Sequence, residues 1–183
     1  MKRPEILSTR DIYKGKIFDV IESDIRHDNV QYKREIVMHK GSAVIVPLFD
    51  DGTIAFVRQY RYAAEKFLLE VPAGTLNKDE DPQLGAIREL EEEIGVRAGR
   101  VEKLAEFYVS PGFLTEKMYL YLATGLTETK QALEVDEILT IERHSIAEAL
   151  DLVHRGEIQD AKTIIGIMLC HAQSDLANGS SIL

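Results

Sequence analysis

The sequence predicts one α+β domain, layered α/β/α, in which strands surround a single central helix and two further helices close the chain. Three observations carry this. β-type segments bounded by turn signals fill most of the first half, one well-capped helix interrupts them near the middle, and the remaining strands precede the closing helices. Size agrees: 183 residues, 45% of them hydrophobic and 29% charged, suit one domain with its own core.

In order along the chain, Lys16 to Asp24 and Tyr32 to His39 flank His27-Asp28-Asn29, a hairpin signal. Ala43 to Phe49 and Ile54 to Gln59 flank Asp50-Asp51-Gly52, a stronger one. Phe67 to Val71 continues the β pattern up to a break at Pro72-Ala73-Gly74. A helix is then expected from Pro82 to Ile94, with Asp81 as N-cap, proline at the first position and Gly95 in the left-handed position beyond its end. Lys103 to Val109, Met118 to Ala123 and Glu137 to Arg143 read as strands, with Ser110-Pro111-Gly112 and a loop from Thr124 to Asp136 between them. Ser145 and Glu148 form a capping box for a helix to His154, and Asp160 can cap a last helix ending near Ala172.

Lys and Arg total 22 against 31 Asp and Glu, a net charge of -9. That sign disfavours capture of nucleic acid or anionic membrane, and neither is expected as a partner. A small phosphorylated substrate stays open, because bound cations reverse the local sign of an acidic site. Cys170 is the sole cysteine, and no apolar run resembles a signal sequence or membrane span, so a cytoplasmic protein is expected. The five histidines show no metal-ligand spacing.

On the expected helix, with Leu84 at zero and about 100° per residue, Ile87, Leu90 and Ile94 fall near 300°, 240° and 280° and define a buried stripe. Glu92, Glu89 and Glu93 fall near 80°, 140° and 180°, a separate acidic face, whereas Glu91 at about 340° points elsewhere. A solvated acidic surface is the ordinary explanation of such a run. Against it, Glu89 and Glu93 are like charges four residues apart, disfavoured by roughly 0.2–0.5 kcal/mol, and they sit where the helix dipole also disfavours anions. A divalent cation would make the same arrangement favourable, since hard oxygen donors suit Mg²⁺, Mn²⁺ or Ca²⁺.

From Gly74 to Val96 the chain reads GTLNKDEDPQLGAIRELEEEIGV, which resembles the Nudix box. Gly74, Glu80, Arg88, Glu89, Leu90, Glu92, Glu93, Gly95 and Val96 fill every fixed position of that pattern. The resemblance implies a Nudix fold and Mg²⁺-dependent hydrolysis of a nucleoside diphosphate linked to another group, with Mn²⁺ a substitute cation. It implies that Glu89, Glu92 and Glu93 ligate metal, with Arg88 orienting them and Glu80 a further acid nearby. In relatives that cleave ADP-ribose, the carbonyl before the box glycine also binds metal, which here is Ala73.

Outside the box, VRQYRYAAEKFLLEVPAG from Val57 to Gly74 resembles ADP-ribose pyrophosphatases through its Gln-aromatic-Arg and Glu-x-Pro-Ala-Gly elements, and Pro111 stands 15 residues past Val96, another mark of that group. The resemblance makes Arg61, Arg34, Glu70, Pro111 and Glu116 the expected substrate contacts; Arg34 could equally be an ordinary strand charge. It assigns the base to an acid on a late loop, Glu137 first and Glu134 second. It also implies a homodimer in which residues 1–42 form an N-terminal β region that packs on the partner, and residues 43–183 the hydrolase domain. The expected substrate is ADP-ribose or another nucleoside diphosphate sugar, such as GDP-mannose or a UDP-sugar. A silent ligand sensor is the competing class.

Overall fold

The computed structural model describes residues 2–133, 135 and 137–177. Three strands open the chain: β1 (Glu5–Lys14), β2 (Asp19–His27) and β3 (Val30–Met38), an antiparallel sheet in the order β1-β2-β3. The β2–β3 turn is the expected hairpin. Asp28 adopts φ 53°, a left-handed conformation that Asp tolerates better than most residues. β1 was absent from the sequence expectation, and all ten of its residues are exposed, so no buried face imposes a hydrophobic pattern on it. The sheet joins the rest where the Val37 amide donates to Phe113 O at 2.7 Å and the Thr115 amide to Val37 O at 2.9 Å.

Next come β4 (Ser42–Pro47), β5 (Thr53–Arg61), β6 (Lys66–Glu70) and the short β7 (Ala73–Thr75). A helix, α1 (Pro82–Glu89), continues as a π-helical turn over Leu90–Ile94. It is followed by β8 (Val96–Arg97), β9 (Arg100–Tyr108), β10 (Lys117–Thr124), β11 (Thr127–Glu128), β12 (Leu139–Ser145), α2 (Ile146–His154) and α3 (Ala161–Ala177). A mixed sheet runs β7-β4-β10-β9, with β4 and β10 parallel, and an antiparallel sheet runs β12-β5-β6.

The alternation of side chains explains the layering. Ala43 and Ile45 of β4, with Ala55 and Val57 of β5, pack on Ala86, Leu90 and Ile94. Val44 and Val46, with Ile54 and Phe56, point the other way, towards Ala149 of α2 and Ile167 and Cys170 of α3. Strands buried on both faces need cover on both sides, which gives the α/β/α sandwich.

Two expectations need correction here. The chain does turn at Asp50-Asp51-Gly52, with the Phe49 amide donating to Thr53 O, but β4 and β5 then part into different sheets, with an isolated Leu48–Ile54 bridge beside the turn. Each of these doubly buried strands takes its neighbours elsewhere. Pro72-Ala73-Gly74 is less a break than the entry to β7, which pairs antiparallel with β4.

Candidate functional site

The capping residues place α1. The Asp81 carboxylate accepts from the amides of Gln83 and Leu84, Pro82 takes the first position, and Gly95 ends the helix at φ 70°. Gly85 and Ala86 let the helix close onto the mixed sheet: a Cβ on Gly85 would stand 2.8 Å from Leu76 and 3.3 Å from Ala43.

The buried face differs from the expected stripe. Leu84 is 63% exposed, while Glu89 and Glu93 share the interior face with Leu90 and Ile94, Glu93 being only 3% exposed. The wheel assigned inside to the apolar side chains. The two carboxylates go inside because β7 is small: the Glu89 carboxylate fills the space where a Cβ on Gly74 would stand, and Glu93 Oε2 accepts the Ala73 amide at 3.3 Å. Glu92 is half-buried at the rim, and Glu91 turns away to pair with Arg97 at 2.9 Å.

Arg88 organises these acids. Its Nε and Nη2 grip both oxygens of Glu80 at 3.0 and 3.2 Å, and its Nη1 donates to Glu89 at 2.6 Å and Glu92 at 3.0 Å. This guanidinium holds Glu80 down to about 2. Burial raises the Glu89 carboxyl, an effect that Arg88 only partly offsets and that Glu92 and Glu137 reinforce. Glu93 is pushed up to about 8, first by burial and then by the charges of Glu89 and Glu137. Glu137 therefore lies within electrostatic reach of both buried acids, whereas Glu134 and Asp136 fall outside the described residues.

Beside this face lies an open crevice of about 190 Å³, lined among others by Ser42, Arg61, Ala73, Gly74, Glu116 and Lys162. Arg61 forms a two-pronged pair with buried Glu70, both contacts at 2.7 Å. Lys162, unforeseen from the sequence, donates to the same carboxylate at 2.5 Å and lies 3.0 Å from Asp160. Burial alone would raise Glu70, but Arg61 and Lys162 outweigh it and hold the carboxyl below its usual range. Glu116 accepts the Ser42 hydroxyl at 2.7 Å.

Of the expected substrate contacts, the structure thus brings Arg61, Glu70 and Glu116 together beside the acid face. Pro111 does not line the crevice; it is exposed in the turn that meets β3. Arg34 is also exposed, its guanidinium stacked 4.4 Å from the Tyr32 ring centre.

The donor set suits a hard divalent cation: carboxylates at low exposure, two of them raised in pKa first by burial and then by neighbouring charge, against a glycine wall that admits them. Among the described residues no three acidic, histidine or cysteine side chains close on a common point, and Arg88 holds Glu89 and Glu92 by hydrogen bonds.

An α/β/α sandwich with this acid-bearing helix packed on its mixed sheet defines a Nudix-type domain. The chain belongs to the family of that name: the NUDIX domain model matches residues 38–165. It is 38% identical to an ADP-ribose pyrophosphatase of Bacillus subtilis (strain 168), over 88% of this chain and 89% of that one. It is 37% identical to a methanol dehydrogenase activator of Bacillus methanolicus, over 93% of this chain and 94% of the other. A crystal structure of an ADP compounds hydrolase shares the fold at a TM-score of 0.85 and 22% identity, covering 99% of this chain and 98% of that one.

Proposed function

We propose that this Nudix pyrophosphohydrolase cleaves the pyrophosphate of ADP-ribose or a related nucleoside diphosphate sugar, releasing a nucleoside monophosphate and a sugar phosphate. The observation that carries this is the buried Glu89–Glu93 pair opening beside a crevice whose free wall bears Arg61. The name of the Bacillus subtilis relative supports ADP-ribose as the first substrate to test.

In this reading Glu89, Glu92, Glu93 and the Ala73 carbonyl would hold Mg²⁺, for which Mn²⁺ can substitute, and the cation would supply positive charge to offset that of the pyrophosphate. Arg88 orients the carboxylates. Arg61, kept in place by Glu70, meets the substrate phosphates from the crevice side, with Glu116 a second contact and Pro111 shaping the loop beside it. Glu137 takes the proton from the attacking water. No covalent enzyme intermediate forms.

Hydrolysis of ADP-ribose in ¹⁸O-water tests the chemistry. AMP and ribose phosphate should appear, one of them labelled. Free ADP with ribose would mean glycosidic cleavage and end the proposal. Running GDP-mannose, UDP-sugars, dinucleoside polyphosphates and NADH alongside ranks the substrates.

We also propose that residues 1–42 dimerise the protein and residues 43–183 carry the hydrolase. The exposed Ile6, Ile12, Ile17, Phe18 and Val30 of the N-terminal region support this, since such apolar side chains gain by burial. A cytoplasmic site of action belongs to the same reading, in keeping with a single buried cysteine. Among the described residues no helix is long and apolar enough to cross a membrane.

A second reading, action on a partner enzyme, is favoured by the name of the Bacillus methanolicus relative. Full substrate turnover with no partner present would leave it without support.

A further inference from the structure

The end of the metal-face helix is tied to the loop that leads to Glu137. An α-helix leaves its last carbonyls without intrahelical partners, and the π-helical turn over Leu90–Ile94 ends in the same way. Two of these carbonyls and that of Gly95 are taken by one short stretch: the Thr129 amide donates to Gly95 O at 2.8 Å, the Ala132 amide to Glu92 O at 3.0 Å, and Gln131 Nε2 to Glu93 O at 2.6 Å.

Two of those bonds are backbone amides that any sequence could supply. The third depends on Gln131, an exposed residue whose side chain does no work in the core. The approach is also close. A Cβ on Gly95 would stand 2.9 Å from the Gln131 nitrogen and 3.3 Å from its Cα, so this glycine serves the docking as well as the left-handed turn. Six residues further on stands Glu137, within electrostatic reach of Glu89 and Glu93.

We propose that Gln131 is a positioning residue for Glu137: by clamping the loop to the Glu93 carbonyl it fixes the base relative to the acid face of the helix. This rests on the assignment of Glu137 as base under the proposed function. The clamp ties the end of the acid-bearing helix to the stretch from which the chain runs on to Glu137, and a displacement of about 1 Å in such a site can cost about 10²-fold in rate.

The test is a double-mutant cycle on the full chain with Mg²⁺ and ADP-ribose. Gln131→Met keeps the length and removes the donor; Gln131→Glu puts an acceptor against the carbonyl. Each should lower kcat about 10- to 100-fold with KM changed less than about twofold, at an unaltered melting temperature. In a Glu137→Gln background, Gln131→Met should cost nothing further, because the group it positions is already gone.

Unchanged kcat in both single variants overturns the proposal. So does a loss that multiplies with that of Glu137→Gln, since Gln131 would then act through the helix itself. Full activity in Glu137→Gln alone is a different failure: the base assignment falls, and the clamp loses its purpose with it.

Discussion

The Glu89 carboxylate occupies the place a side chain on Gly74 would need, Oε1 lying 1.8 Å from the position of that missing Cβ. The first residue of the box and its first helical glutamate are thus one steric unit. In Gly74→Ala the group that must move is the far end of a flexible side chain, so the fold survives and the acid face does not. Turnover should fall at least about tenfold, with a higher Mg²⁺ requirement and a melting temperature within a few degrees of the parent. Parental kinetics in this variant would detach Glu89 from the reaction.

Glu92→Gln and Glu93→Gln keep side-chain size and remove charge, so both should fold while turnover drops by orders of magnitude. Glu91→Gln is the internal control. It loses only an exposed pair with Arg97, worth about 0–1 kcal/mol, and its kcat should stay within about twofold of the parent. Equal effects across the three positions would mean that the helix charge, not the face, is being read.

Stability of the metal-free protein should fall as pH rises. Glu93 titrates near 8 in the folded chain against an ordinary 4.5, so between those values the unfolded state has released a proton that the folded state keeps. Unfolding is therefore increasingly favoured across that window, by at most about 1.4 kcal/mol per pH unit for one group, and the effect levels off above pH 8. Buried Glu89 adds in the same direction. The carboxyls held low, Glu70 and Glu80 among them, act with the opposite sign and only below the ordinary carboxylate range. Urea midpoints in EDTA at pH 5.5 and 7.5 check this: the parent should lose stability between them, and Glu93→Gln should lose less. An identical slope in the two proteins would remove Glu93 as the cause.

Much of this was legible in the sequence wherever local chemistry decides. Asp81-Pro82, Gly95 and the Ser145–Glu148 capping box each set a helix end within one or two residues, and the box spacing singled out Glu89 on α1 and Glu92 and Glu93 on the π-helical turn after it. What was hidden depends on tertiary neighbours. Leu84 looked like core by period alone, but the helix turns its smallest residues to the sheet. Lys162 carries no sequence mark of its role, which appears only when Glu70, 92 residues earlier, is brought against it. A lone charge near the start of the otherwise uncharged stretch Ala161 to Cys170 was the available signal.

Arg34 separates a monomer from a shared site. It projects from β3 on the exposed N-terminal sheet, apart from its own chain's crevice, and stacks on Tyr32. If it serves the reaction at all, it does so in a neighbouring subunit, across an interface formed by the apolar side chains of that sheet. Sedimentation at micromolar concentration should then give a dimer; a fully active monomer of 20.6 kDa would refute this. Arg34→Ala should abolish nearly all activity in the homodimer, and so should Glu93→Gln. Mixing the two inactive proteins should restore one competent site per heterodimer, since one crevice receives an intact acid face from its own chain and an intact Arg34 from the other. The recovery expected is about one quarter of parental activity for random exchange, as half the dimers carry one good site of two. No recovery despite verified exchange would make Arg34 a surface charge, its stacking on Tyr32 purely local.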